Sequence, residues 1–471
     1  MSEWADYEAR VDAGGGAARQ ARQRRLGRGT ARERVAALLD AESFVETGRY
    51  RRVGHGTPGD GVVTGFGRVD GVAIAVVAHD PTVERGALGR VGAEKVAEVL
   101  QQALERRLPV VTLADSDGAR VREGIDGVLG NGLLLEWTAR LSGEVPQITL
   151  VCGLCVGAAA YAAAIGDFVG MVRDQAFLFI TGPAVTRAAT GQDVAIEELG
   201  GPSLHFTRTG TCHAVLDDEA AGIAWVKALL GRTVDRAPAD PVRRAVPELE
   251  TLIPTDEQRP YDVRPVLRAL FDADSFLVVG EGFAPNLVTG LARLGGRSVG
   301  VLASQPAVLA GCLDVASSQK GARFLAALRA LALPVITFVD VPGFLPGLAQ
   351  EAGGVLPFGA ELIQAYARHR RPRVAVVLRK AYGAGNVLSY PADLRLGLPT
   401  ARVGAMGVQA ALAVELGPEP TGPEWASRRA AFLAEHDSAR PAAEAGFLTH
   451  IVAPTELRAA LHRHLGALDG R

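Results

Sequence analysis

Cysteine is scarce in this chain, with four residues in 471, and so few thiols cannot lay out a disulfide framework over such a length. Cys152 and Cys155 form a C-x-x-C where an apolar run gives way to small residues, which is where a thioredoxin-like redox pair would sit. A zinc ribbon needs a second such pair, and Cys212 and Cys312 do not supply it. Two small buried residues is the plainer reading. Net charge is nearly absent too: at −2 the chain has no global field to draw in nucleic acid or a membrane surface, so partners are selected at local sites. The opening Met1-Ser2-Glu3-Trp4-Ala5-Asp6-Tyr7-Glu8-Ala9-Arg10 is acidic and amphipathic rather than basic and then apolar. A secretory signal is therefore not expected, and a reducing, cytoplasmic location is. Charge is missing altogether from residues 145–165, a length that could span a membrane. Its second half is nearly all small residues, however, and the pattern predicts a strand turning into a closely packed helix. The nine histidines show no H-E-x-x-H spacing, and there is no G-x-S-x-G elbow or G-x-x-x-x-G-K-[ST] loop. His213, beside Cys212, reads as a loop or core residue, and no metal is expected.

Glycine, by contrast, is abundant, with 56 residues in a chain that is 48% apolar and 22% charged, a balance that suits α/β packing with many tight strand-to-helix turns. One hydrophobic core is too few at this length, so two domains follow. They are copies of each other. Val63-Thr64-Gly65-Phe66 returns as Val288-Thr289-Gly290-Leu291 at an offset of 225. The same offset carries Leu108-Pro109-Val110-Val111-Thr112-Leu113-Ala114-Asp115 onto Leu333-Pro334-Val335-Ile336-Thr337-Phe338-Val339-Asp340. One further residue of offset takes Pro146-Gln147-Ile148 to Pro372-Arg373-Val374, and Gly157-Ala158 to Gly383-Ala384. Each half starts with a helix and a Ser-Phe pair (Ser43-Phe44, Ser275-Phe276), followed by an apolar hairpin, helix, buried strand, glycine turn, helix and strand. The division expected is 1–240 and 241–471, with the acidic, Pro-bearing stretch 236–259 as linker. Seven arginines between positions 19 and 34 read as a solvated basic helix, a polyanion-binding tail or part of a phosphate-binding rim, the first being the plainest.

In both halves, buried strands end in turns of small residues: Ala114-Asp115-Ser116-Asp117-Gly118 and Val339-Asp340-Val341-Pro342-Gly343, then Gly153-Leu154-Cys155-Val156-Gly157-Ala158 and Arg379-Lys380-Ala381-Tyr382-Gly383-Ala384-Gly385. Small residues let backbone N–H groups approach a ligand, and a helix N-terminus just beyond adds partial positive charge. Those are the parts of an oxyanion hole. Close helix-to-strand packing without a ligand is the alternative, weakened by the recurrence of the pair in each half.

Several stretches resemble a known family: Thr30-Ala31-Arg32-Glu33-Arg34, Gly59-Asp60-Gly61-Val62-Val63-Thr64-Gly65, Gly86-Ala87-Leu88-Gly89, Phe179-Ile180-Thr181-Gly182-Pro183 and Glu197-Glu198-Leu199-Gly200-Gly201. Gln305-Pro306, Gly311-Cys312-Leu313-Asp314 and Val339-Asp340-Val341-Pro342-Gly343-Phe344-Leu345-Pro346-Gly347 complete the set. Together they resemble the carboxyltransferase (beta) subunits of biotin-dependent acyl-CoA carboxylases, with methylmalonyl-CoA decarboxylase-like proteins beside them. The resemblance implies an α/β fold of two tandem crotonase-like (ClpP/crotonase) domains related by internal duplication. It implies a homo-oligomer, usually a hexamer, with active sites between the N-half of one subunit and the C-half of another. It places the enolate oxygen of an acyl-CoA at Gly157 and Ala158, and the ureido oxygen of carboxybiotin at Ala384 and Gly385, with Gly383 adjacent. Substrate contacts are expected at Gly86, Ala87, Gly118, Ala119 and Arg120, and at Asn386 and Val387.

The chain departs from that family in places. Ala158 stands where a second glycine is usual, and a backbone donor survives a methyl group. Asp117 also replaces a glycine. The family's Gly-Gly-Ala-Tyr-Asp is Gly383-Ala384-Gly385-Asn386-Val387 here, with Val387, or Asn386 if one residue is deleted, at the aspartate that bears on acyl-chain choice. Transcarboxylation between carboxybiotin and the α-carbon of a short acyl-CoA is one reading; it needs a separate biotin carboxylase and biotin carrier, since neither signature is present. Biotin-independent decarboxylation of a malonyl- or alkylmalonyl-thioester of CoA or acyl carrier protein, as in secondary metabolism, is the second. A non-catalytic scaffold is the third.

Overall fold

In the computed structural model, residues 2–468 are described except 53, 55, 239 and 417–422. The chain divides into two compact units between Gly231 and Arg232. The residues that follow already belong to the second unit: Arg236 N–H donates to Gly296 O at 2.9 Å, and Ser298 N–H to Asp235 Oδ1 at 2.8 Å. The stretch read as a linker is packed rather than free, because Val246, Leu249 and Ile253 are buried in that unit's core.

The first unit is built on one sheet: β1 (Val45–Thr47), β2 (Val62–Val69), β3 (Val72–His79), β4 (Val110–Ser116), β5 (Gln147–Val156), β6 (Phe168–Val172), β7 (Phe177–Phe179) and β8 (Ala214–Leu216). Its order is β1-β2-β3-β4-β5-β6-β8, with β7 also on β5. The first three strands pair antiparallel and the others parallel. Helices α1 (Ser2–Ala13), α2 (Ala17–Arg25) and α3 (Ala31–Leu38) precede it, and α4 (Arg90–Arg106), α5 (Ile125–Leu141) and α6 (Ala158–Ile165) connect its parallel strands, as parallel pairing demands. The second unit holds β9 (Leu277–Val279), β10 (Leu287–Leu294), β11 (Arg297–Ser304), β12 (Val335–Val341), β13 (Arg373–Tyr382), β14 (Leu394–Gly397), β15 (Arg402–Gly404) and β16 (His450–Ile451). Its order, β9-β10-β11-β12-β13-β14-β16 with β15 on β13, repeats the first. The uncharged run 145–165 is β5 and α6, and among the described residues no helix is long and apolar enough to cross a membrane.

The repeated Ser-Phe pair, preceded in the two units by Asp40-Ala41 and Asp272-Ala273, now has a physical cause. Each β-hairpin turns on two positive-φ residues, Asp70-Gly71 and Gly295-Gly296, the geometry that matches strand twist. Asp40 accepts hydrogen bonds from Asp70 N–H and Gly71 N–H, both at 2.9 Å, and Asp272 from Gly295 N–H at 2.9 and Gly296 N–H at 2.7 Å. Ser43 and Ser275 accept from Arg68 N–H and Arg293 N–H. Phe44 and Phe276 cover Gly65 and Gly290, where any Cβ would fall within 3 Å of the ring. A buried lysine also recurs at offset 225: Lys95 Nζ donates to Gly59 O and Val62 O, and Lys320 Nζ to Ala284 O, Leu287 O and Phe283 O. Burial lowers these ammonium groups to about 8 and about 7 respectively, and the carbonyl cages keep them satisfied.

Candidate active site

In the first unit β5 runs into α6 through Gly157, whose φ of 62° and ψ of −121° strain any L side chain. Gly157 N–H donates to Phe179 O at 3.2 Å, so that donor is committed to the pairing of β5 with β7. Ala158 is the first residue of the helix, and an N–H at that position has no acceptor inside it. Ala158 is itself half-buried, so its N–H is left to an acceptor from outside the helix.

The neighbouring loop supplies a second donor. Leu88 bridges Ala119 in parallel: Leu88 N–H donates to Gly118 O at 2.8 Å and Arg120 N–H to Leu88 O at 3.1 Å. That pattern directs Ala119 N–H away from the bridge. Gly118, at φ 91°, lies against the end of β5; a Cβ there would be 3.0 Å from Val156 O. Gly86 permits the close approach of the next layer, since its Cβ would fall 2.0 Å from Asp115 O. Ala87 O accepts Arg120 Nε–H at 2.9 Å. Arg120 itself is clamped, with Nη1 on Asp60 Oδ1 at 2.5 Å and Nη2 on Asp60 O at 2.8 Å. Its charge is thus largely neutralised where the sequence pointed to substrate contact.

Ala87, Ala119 and Arg120 line a cleft of about 770 Å³, joined by Arg19 and Arg22 of α2, Arg85 and Arg122. The arginine stretch 19–34 divides accordingly. Arg34 is buried, Arg24 pairs with Glu33 at 2.8 Å, and only Arg19, Arg22 and Gln23 of α2 reach the cleft. A 3.6-residue period separates these faces, and the contiguous run hid it. Asp117 pairs with Arg85 at 2.8 Å.

In the second unit β13 passes into a 3-10 turn, Gly383–Leu388, through Gly383 at φ 51°. The first N–H groups of such a turn have no acceptor within it, and Ala384 is exposed there. Gly385 is buried; its Cβ would lie 2.6 Å from Val341 Cγ1 and 3.3 Å from Gly343 Cα. Asn386 and Val387 are buried, and Asn386 Nδ2–H donates to Ala381 O at 3.0 Å. Tyr382 OH donates to Asp437 Oδ2 at 2.9 Å, and burial pushes the Asp437 carboxyl up to about 6. Leu313 bridges Phe344 as Leu88 bridges Ala119. Phe344 N–H is a candidate donor that motif reading passed over, although the 225 offset maps Ala119 onto it.

Cys152 and Cys155 are free, buried thiols; burial pushes Cys152 up to about 12 and raises Cys155 as well, the opposite of a redox-active thiolate. His213 Nδ1 accepts Val169 N–H at 3.0 Å. Among the described residues no His, Cys, Asp and Glu group forms a metal-ligating cluster.

Two tandem crotonase-like α/β units, each ending adjacent parallel strands in donor-bearing turns, define the class of enzyme. The chain belongs to the carboxyl transferase domain family, which matches residues 22–465. Propionyl-CoA carboxylase, carboxyltransferase subunit, of Haloferax mediterranei is 39% identical over 97% of this chain and 94% of its own length. Methylmalonyl-CoA decarboxylase subunit alpha of Veillonella parvula is 37% identical over 98% and 94%. The crystal structure of the hexameric transcarboxylase 12S with hydrolysed methylmalonyl-coenzyme A bound matches with a TM-score of 0.94 at 36% identity, covering 100% of this chain and 95% of that one.

Proposed function

We propose that this chain is the carboxyltransferase of an acyl-CoA carboxylase, working as a cytoplasmic homo-oligomer with a separate biotin carboxylase and biotin carrier. The observation that supports the reading is the cleft of about 770 Å³ lined by Ala119, by five arginines and by the carboxylates Asp60, Glu84, Asp117 and Glu123, a volume suited to a cofactor-sized ligand. The thioester oxygen sits between Ala158 N–H and Ala119 N–H, and Gly157 serves to aim Ala158. The α-proton passes to the ureido nitrogen of the carrier's biotin that has given up its carboxyl group, charge moves onto the thioester oxygen, and each preorganised donor contributes on the order of 3 kcal/mol. Arg19 and Arg22 hold phosphate at the cleft rim. Carboxybiotin on its carrier supplies the carboxyl group, and the exposed start of the 3-10 turn at Ala384 fits its ureido oxygen. Phe344 N–H stands beside it as Ala119 does in the first unit. No side-chain base is required of either turn.

Decarboxylation of a malonyl- or alkylmalonyl-thioester, of CoA or a carrier protein, is favoured by one observation. The turn Gly383-Ala384-Gly385-Asn386-Val387 departs from the family on the side that would meet biotin, and its Asn386 is internally bonded. The enolate is the same, reached from the other direction. Purified chain alone, given methylmalonyl-CoA, malonyl-CoA and their carrier-protein equivalents, separates the two by mass spectrometry. Transcarboxylation predicts no loss of CO2 from the chain alone, and a carboxylated thioester product only when a carboxylated carrier and acyl-CoA are both supplied; rapid CO2 loss without biotin overturns it in favour of the second reading.

A further inference from the structure

The repeat is broken at one buried ion pair. Asp115 lies where the β4–β5 register jumps from Ala114↔Val151 to Ser116↔Cys155, and Asp340 where the β12–β13 register jumps from Val339↔Val377 to Val341↔Ala381. At each place one aspartate opposes three residues of the longer strand, and such bulges bend the strand that carries the extra residues. That strand is the one whose end forms the donor turn, at Ala158 or at Ala384. The aspartate carbonyls are closely covered in both units, by Gly86 and Gly311, where a Cβ would fall 2.0 and 2.4 Å away.

Each buried aspartate meets a buried arginine, but the arginines come from different elements. In the first unit Arg34, on α3, places Nη2 at 3.0 Å from Asp115 Oδ2 and 2.6 Å from Glu219 Oε1. In the second, Arg379 belongs to β13 itself, and its Nε donates to Asp340 Oδ2 at 2.7 Å. Lys380 N–H, unpaired at the register jump, donates to Asp340 Oδ1 at 3.2 Å. Positions 153 and 379 correspond at the offset of 226. Where the second unit has Arg379 the first has Gly153, and a Cβ at 153 would lie 2.1 Å from Asp115 Oδ1. The two halves have exchanged the origin of the cation and kept its place. Stability alone does not demand this, because a buried ion pair can often be replaced by apolar side chains at little cost.

We infer that Asp115–Arg34 and Asp340–Arg379 are positioning pairs, which lock the two bulges and thereby hold the donor turns ahead of them in reacting geometry. They touch no substrate, and the inference rests on the reading of those turns as oxyanion sites. The test uses the full chain in its active assembly, with kcat, KM and melting temperature measured together. Arg34→Met should lower kcat about 10- to 100-fold, the range for a reacting group misplaced by an ångström or less, with KM for the thioester changed less than about two-fold. Relocating the cation in Arg34→Met/Gly153→Arg, which copies the second unit, should restore much of kcat. Arg34→Lys, which keeps the charge, tests the same point if Arg34→Met does not fold; it should show a smaller kcat loss at constant KM. A folded Arg34 variant with unchanged kcat, or a loss carried entirely by KM, overturns the inference. So does relocation that restores the melting temperature without kcat. Ala158→Pro run alongside separates the failures: if it loses rate while the Arg34 variants do not, the oxyanion reading stands and only the positioning role falls.

Discussion

Ala158 shows how little of a side chain this chemistry needs. Its methyl group sits half-buried beside the turn, and what matters is an N–H with no intrahelical acceptor at the first helical position. Proline is well tolerated at that position and lacks this N–H. Gly157, ahead of it, holds the mirror image of the extended conformation that residues before proline prefer, which achiral glycine adopts equally well. Ala158→Pro is therefore a clean deletion of one donor. Turnover should fall by roughly 10² to 10³ with the melting temperature nearly unchanged. A folded Ala158→Pro enzyme at full rate would falsify the role given to this turn in both carboxylation and decarboxylation.

At the scale of elements, stability beneath α6 should depend on pH through His79 of β3. Ala159, Ala162 and Ala163 of α6 line a small cavity of about 30 Å³ with His79. His79 is buried, its Nδ1 has no hydrogen-bond partner among the described residues, and burial, with the nearby Arg34 guanidinium, lowers the imidazole to about 4 from 6.5. The folded state therefore resists a proton that the unfolded chain accepts below 6.5. The resulting stabilisation is complete above that pH and is lost as pH falls toward 4, with a slope of up to about 1.4 kcal/mol per pH unit and a total of roughly 3 kcal/mol. Chemical denaturation between pH 7 and pH 4.5 should show a shallower acid loss in His79→Gln than in the parent chain. Equal slopes would mean that His79 does not control it. The equivalent position of the second unit is Ser304, and the histidine that burial lowers to about 4 in that unit, His369, lies elsewhere, against Leu333 O.

At the scale of the molecule, each unit exposes apolar residues on a helix near its turn. On α5 these are Ile125, Val128 and Leu129, preceded by Val121 at 91% exposure; in the second unit Leu356 and Ile363 lie on the helix Val355–Ala367, with Leu348 before it. Contiguous apolar surface of this kind is normally covered by a partner, and the partner that fits a doubled enzyme is a second copy of the chain. Sedimentation should find an oligomer at micromolar concentration. Val128→Asp/Leu129→Asp should shift it to a smaller species and lose activity with it; a monomer that turns over at the full rate would contradict the assembly.

The succession of elements in each unit, the duplication and the turns were legible from the sequence alone, whereas the order of strands within each sheet came from the structure. Period-two apolar runs, hairpin residues such as Asp70-Gly71 and a constant offset all record local conformation, and local conformation follows from nearby residues. The uncharged run 145–165 resolved into β5 and α6 by the same logic. The availability of each group was decided only in the tertiary structure. Gly157 N–H is taken by Phe179, Arg120 by Asp60, and Arg34 leaves a basic run to pair with Asp115 and Glu219. The stretch 236–259 looked free until Val246 and Leu249 found the second core. Each of these depends on an acceptor, a carboxylate or a surface brought from far along the chain. A hydrogen-bonding group has one local sequence but many candidate partners, and packing alone selects among them.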